Sequence, residues 1–180
     1  MADTDPENQS RESSPTREKT SACGLPSHAK TTSSSAYQKS DEEWQRLLDA
    51  DRYRVLRQHG TEPPFRNSYW DSKTPGVFVC AGCQAPLFAS KQKYDSGTGW
   101  PSFYAPIAPE NLGSSVDTSY GMERTEVHCN RCGGHLGHVF EDGPQPTGLR
   151  YCINSASLAF IGLNSLEKRP DLAPYSSDAK

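Results

Sequence analysis

Two Cys-x-x-Cys pairs, Cys80/Cys83 and Cys129/Cys132, constrain this chain more than any other feature. Two thiolates across a tight knuckle span two corners of a tetrahedron, and two such knuckles complete an all-thiolate shell. A strand-like run feeds each pair, Phe78-Val79 in one case and Val127-His128 in the other, and Gly82 or Gly133-Gly134 helps the turn. A redox-active pair of thioredoxin type would instead open a helix in a βαβ unit, a context that neither pair has. The chain has 6 cysteines, which could also be read as three disulfides of a small secreted domain. The paired spacing favours metal, and the donor set favours zinc. A closed four-thiolate shell has no open position for water, so such an ion holds the fold and activates nothing; it contributes on the order of 10 kcal/mol to folding.

At 180 residues the chain has room for one ordinary domain with flexible ends. Residues 1–39 mix Ser, Thr, Pro and alternating charges with few large apolar side chains and read as a disordered tail. The domain is expected over 40–162, with 163–180 as a polar C-terminal tail whose last dozen or so residues are loose. Ser40 and Glu43 form a capping box, and Trp44, Leu47 and Leu48 follow at helical spacing. This helix should break near 49–51, resume through Tyr53, Val55 and Leu56, and end at His59-Gly60, with Pro63-Pro64 beyond as a stop. From Gly76 onward, short apolar runs predict strands over 77–80, 87–89, 126–129, 136–140, 151–154 and 158–161. The expected fold is therefore mainly β: a small, zinc-stabilised antiparallel domain with an N-terminal helical segment. Segments 95–99 and 142–148 are rich in turn formers, the kind of loop on which ligand contacts collect.

A net charge of −3 and a pI of about 5.9 supply no basic field for nucleic acid. No stretch approaches the roughly 18 apolar residues of a membrane span. The N-terminal residues lack the basic-then-apolar pattern of a secretory signal, and Asp3, Asp5, Glu7 and Glu12 depart from the acid-poor composition of organelle transit peptides. The expected compartment is a reducing one, the cytoplasm, with organelle import left open.

With four cysteines assigned to metal, Cys152 is the remaining one inside the β domain. A lone cysteine is ordinarily a small hydrophobe. Here Arg150 can stabilise a thiolate, and Asn154, two residues along a strand, shares a face with Cys152. His135 and His138 sit three apart just after the second knuckle; beside four thiolates they are redundant as ligands, which leaves acid/base work or hydrogen bonding. His28, in the tail, His59, at a helix end, and His128, beside a metal ligand, are read as bland.

Taken together, Gly99-Trp100-Pro101-Ser102-Phe103, His135-Leu136-Gly137-His138-Val139-Phe140, Arg150-Tyr151-Cys152-Ile153-Asn154-Ser155 and the two cysteine pairs resemble the B-type methionine sulfoxide reductases, over about 41–161. The resemblance implies a β-tent fold with one structural zinc on Cys80, Cys83, Cys129 and Cys132. It also implies reduction of methionine-R-sulfoxide, chiefly within proteins, as repair of oxidative damage. Cys152 matches the family's nucleophile and Trp100 the wall for the substrate methyl. His135, His138 and Asn154 match the groups that bind substrate and protonate the departing oxygen. In the implied course the Cys152 thiolate attacks the sulfoxide sulfur, methionine leaves, and the resulting sulfenic acid is reduced by thioredoxin or by glutaredoxin and glutathione. A monomer is expected.

One position departs from the family. Many members carry a resolving cysteine where this chain has Thr98. Cys23 is most simply an incidental tail thiol; the alternative is a resolving role, since a flexible chain from Cys23 to Ser40 spans on the order of 20 Å. Two rival readings of the whole chain are a non-enzymatic zinc β-tent used for binding and a nucleic-acid-binding zinc ribbon. The first would not need Trp100, His135, His138 and Cys152 together, and the acidic balance counts against the second.

Overall fold

A computed structural model describes residues 37–180. Cys23, His28 and all but the last three residues of the N-terminal tail lie outside them. Two short helices lead in. α1 (Asp41–Leu47) is capped by Ser40, whose hydroxyl accepts from the Glu43 amide while the Glu43 carboxylate accepts from the Ser40 amide. α2 (Ala50–Gln58) is capped by Asp49 and ends on His59, whose left-handed backbone (φ 51°) breaks the helix. The buried side chains Trp44, Leu48, Val55 and Leu56 hold the pair onto the β domain. Burying a side chain of this size stabilises by roughly 1.5–3 kcal/mol. Arg57 stacks over Trp44 at 5.2 Å and donates to the Cys132 carbonyl at 3.0 Å, so α2 is tied to the second cysteine knuckle.

Nine antiparallel strands follow: β1 (Gly76–Cys80), β2 (Pro86–Ala89), β3 (Lys93–Tyr94), β4 (Ser102–Phe103), β5 (Leu112–Asp117), β6 (Arg124–Cys129), β7 (His135–Phe140), β8 (Arg150–Ile153) and β9 (Leu158–Gly162). They form a three-stranded sheet in the order β2-β1-β9 and a six-stranded sheet in the order β3-β4-β8-β7-β6-β5. The main core contains Phe78, Leu87, Phe88, Phe103, Leu136, Ile153 and Leu158. Phe88 stacks on Phe103 at 4.4 Å, and Phe78 meets Phe103 edge-on at 5.2 Å.

All six strands expected from the sequence are present, with ends shifted by no more than two residues. β3 and β4 went unread because two residues cannot display a period. β5 went unread because Gly113, Ser114 and Ser115 interrupt any apolar alternation on an edge strand that is largely exposed.

The last dozen or so residues, expected to be loose, are instead packed. α3 (Leu163–Leu166) and a 3₁₀ segment, Pro170–Tyr175, fold back onto the small sheet. Leu166, Leu172 and Ala179 join Val77, Val79 and Ala89 in a second buried cluster. The reason lies in the period-2 alternation of β1: Phe78 and Cys80 face the main core, Val77 and Val79 the other side, and that second face needs a cover. Isolated leucines in a polar stretch supply it, and the Ser90 hydroxyl donates to the Ala179 carbonyl at 3.0 Å. Among the described residues, no helix is long and apolar enough to cross a membrane.

Candidate active site and metal centre

The two cysteine knuckles are built alike. Each begins at the end of a strand, and the amide four residues after its first cysteine donates back to that cysteine's carbonyl: Gln84 to Cys80 at 2.9 Å, Gly133 to Cys129 at 2.8 Å. These two positions have φ of 61° and 71°, the left-handed region where glycine is at ease. The turns bring Sγ of Cys83 to 3.5 Å from that of Cys129, and Sγ of Cys80 to 3.7 Å from that of Cys132. All four sulfurs lie within 4.8 Å of one another. A tetrahedron with metal–sulfur bonds of about 2.3 Å has edges of about 3.8 Å, so the cluster is dimensioned for a metal ion. Hydrogen bonding from Cys129 pulls the Cys132 thiol far down, while hydrogen bonding within the cluster pushes Cys80 and Cys129 up. Four adjacent sulfurs can all be thiolates only around a cation.

On the six-stranded sheet, register sets out a polar row. Ser102 on β4 opposes Cys152 on β8, Cys152 opposes His138 on β7, His138 opposes Glu126 on β6, and Glu126 opposes Ser115 on β5. Directly opposed residues share a face, with Cβ atoms about 4.5–5.5 Å apart. Gly137 allows the approach, since a Cβ there would strike the Cys152 carbonyl. Beside this row lies a groove of about 140 Å³ lined by Trp100, Arg124, His138, Phe140, Cys152 and Asn154.

Trp100 follows Gly99, whose φ of 84° and lack of a side chain let the chain pass against Phe65. The indole donates to the Glu62 carbonyl at 3.0 Å. The Glu62 carboxylate accepts from the Ser155 and Ala156 amides, and its own amide donates to the Asn154 side chain at 3.1 Å. Asn154 follows β8 rather than belonging to it, and its amide nitrogen donates to the Leu136 carbonyl at 3.1 Å. The segment around Glu62 thus clamps Trp100 to the chain just beyond Cys152, with Asn154 as its anchor.

Cys152 is half-buried. Burial pushes its thiol up, against the opposing pull of the Arg150 guanidinium, and the net shift is upward. Arg150 is itself held by Asp142 through bonds of 2.8 and 2.9 Å and stacks on Phe140 at 4.3 Å. Thr98, which stands where many B-type reductases have a resolving cysteine, is linked through the Ser96 hydroxyl to Ser102, the residue opposite Cys152.

His138 shares a 2.7 Å hydrogen bond between Nε2 and Oδ2 of Asp117, and the same oxygen accepts from Arg124 at 2.7 Å. Hydrogen bonds from Ser119, then His138, hold the Asp117 carboxyl well below the usual carboxylate range. His135 lies one step away, its ring 5.6 Å from that of His138. Its Nδ1 is 2.6 Å from Oε1 of Glu126, and its buried Nε2 has no partner among the described residues. Burial pushes this imidazole down, towards the neutral form.

Of the residues singled out in the sequence, Cys152, His138, Trp100 and Asn154 meet at one groove; Arg150 flanks Cys152, and His135 stands behind His138 in a neighbouring recess. Sequence reasoning missed Glu62, Asp117, Arg124 and Glu126, and it set His59 aside. A signal was present: Arg124, Glu126 and His128 alternate with Thr125, Val127 and Cys129, so the strand begins two residues earlier than expected and carries a polar face.

Comparison with known proteins matches residues 48–162 to the SelR domain. Three curated relatives are each named peptide methionine sulfoxide reductase MsrB. That of Hahella chejuensis is 54% identical over 133 residues, 74% of this chain and 96% of the relative. That of Leptospira interrogans is 57% identical over 122 residues, 68% of this chain and 93% of the relative. That of Saccharophagus degradans is 59% identical over 120 residues, 67% and 90%. With its thiol groove, its four-cysteine cluster and this degree of identity, the chain belongs to the SelR-domain family of MsrB peptide methionine sulfoxide reductases.

Proposed function

We propose that the chain reduces the R epimer of methionine sulfoxide in oxidised proteins, with Cys152 as nucleophile, within a reductase domain over 40–162. The observation that carries this reading is the placement of Cys152 opposite His138 at a groove walled by Trp100. A sulfoxide is a chiral sulfur bearing a methyl group and a polar oxygen. The indole offers the methyl an apolar wall, His138 offers the oxygen a proton, and the Cys152 thiolate attacks from the remaining side. In the balanced step the sulfoxide S–O bond breaks and oxygen ends on the Cys152 sulfur. Two electrons pass from cysteine to the substrate sulfur, and methionine leaves. Asp117 holds the His138 ring, and His135 supports the recess behind it. Arg150 counters the effect of burial on the thiol.

A second thiol then attacks the sulfenic acid, water departs, and a further thiol releases Cys152 as the reductant becomes a disulfide. Thioredoxin, or glutaredoxin with glutathione, fits this role in a reducing, cytoplasmic compartment, with the enzyme acting as a monomer. Cys80, Cys83, Cys129 and Cys132 would hold one zinc ion, whose closed shell supplies structure and no chemistry. The test is turnover of R- and S-methionine sulfoxide peptides with dithiothreitol. Wild type should consume only the R epimer and Cys152→Ser neither; S-epimer turnover, or activity in Cys152→Ser, would overturn the assignment.

A further inference from the structure

We infer that His59, Glu126 and His135 form a second metal site, one strand over from the thiol groove and separate from the four-cysteine cluster, taking a divalent transition ion such as zinc. The two imidazoles converge on one carboxylate oxygen: Nδ1 of His59 is 2.9 Å and Nδ1 of His135 is 2.6 Å from Oε1 of Glu126. The three donor atoms lie within 4.8 Å of one another.

Three separate elements supply them. His59 caps α2 in a fixed left-handed conformation, Glu126 is in the middle of β6, and His135 opens β7 beside the bulge between Val127 and His128. The carboxylate is steadied from behind, since Ser115 donates to its other oxygen at 2.8 Å. Such partners orient a metal ligand.

Two imidazole nitrogens and one carboxylate oxygen are a set that zinc and its first-row neighbours accept, with a fourth position open to solvent. The triad borders an open recess of about 920 Å³, through which solvent reaches it. Access is provided by His59, whose side chain is 65% exposed, while His135 is 3% exposed. With bonds of about 2.0–2.2 Å, an ion would need its ligands slightly further apart than they stand, and the exposed His59 ring is the one able to swing outward.

The experiment uses the full chain with its two other thiols removed, Cys23→Ser/Cys152→Ser, and its metal content measured beforehand. Zinc is added during calorimetry, and the imidazole signals are followed by NMR. One equivalent should bind beyond the starting content, with the signals of His59 and His135 shifting while that of His28 stays in place. Adding His59→Ala should weaken this binding by more than about tenfold, and Glu126→Gln should do the same. No additional equivalent, or unchanged binding in His59→Ala, whose exposed side chain leaves folding intact, would overturn the site.

Discussion

Cys152 and His138 stand directly opposite each other on β8 and β7, a register pair whose third neighbour, Glu126, sits on β6. Sheet register, not loop conformation, therefore sets the separation of these two side chains. Replacing His138 with Ala should lower kcat for R-sulfoxide reduction by roughly 10²- to 10⁴-fold, the usual span for a general acid. Measuring alkylation of Cys152 in the same variant separates loss of the proton from loss of the thiol. A near-normal kcat would move the acid role elsewhere.

Asp117 is expected to act through His138, because one of its oxygens accepts from both His138 and Arg124. Asp117→Asn keeps the shape and loses the charge, leaving the ring free to turn. Misplacement of a reacting group costs up to about 10²-fold, so kcat should fall by that order while zinc content and melting temperature stay near wild type. A fall in melting temperature with unchanged kcat would assign Asp117 to stability alone.

The pH dependence of Cys152 follows from its burial. Its thiol is held above its ordinary value, so the reactive thiolate is scarce below that value and increases as pH rises. The midpoint of its alkylation by iodoacetamide should lie above that of an ordinary cysteine, roughly 8.5. Arg150→Met should move it higher still, because the guanidinium is the foremost influence opposing burial. A midpoint below the ordinary value would mean that Arg150 prevails over burial.

Zinc analysis of the purified chain should give one equivalent in the four-cysteine cluster, removable by chelator with loss of the fold. In Cys83→Ser three thiolates remain and the metal-linked folding energy drops, so poorly folded protein is the expected result. Active protein with far less than one equivalent would leave the knuckles without a metal role.

The elements legible in the sequence are those with a local signature. Ser40 and Glu43 announced the first cap, the knuckles announced the cluster, and the strands of four or more residues, β5 excepted, displayed apolar runs. Relationships fixed only by register or long-range packing were not legible. Nothing near Asp117 in the chain points to His138; the pairing arises because β5, β6 and β7 align. His59 looked like an ordinary helix end until α2 delivered it to Glu126. In the same way Leu166 and Leu172 look incidental until the outer face of β1 requires a cover.

Thr98 offers the most direct test of how the oxidised enzyme is recycled. Its hydroxyl is 2.8 Å from that of Ser96, which is 2.7 Å from that of Ser102, the residue directly opposite Cys152 in the sheet. Position 98 is thus on the same side of the sheet edge as Cys152, and it lacks only a sulfur. Thr98→Cys should therefore condense with the sulfenic acid formed at Cys152, releasing water and leaving a disulfide between positions 98 and 152. Peptide mapping after one equivalent of substrate should find that disulfide in the variant. In the wild type, which has no thiol at position 98, the expectation is that external thiols reduce the sulfenic acid, so Cys23→Ser should turn over normally with thioredoxin or with glutaredoxin and glutathione. A wild-type disulfide between Cys23 and Cys152, with thioredoxin-dependent turnover lost in Cys23→Ser and dithiothreitol-dependent turnover retained, would instead make the N-terminal cysteine the resolving thiol.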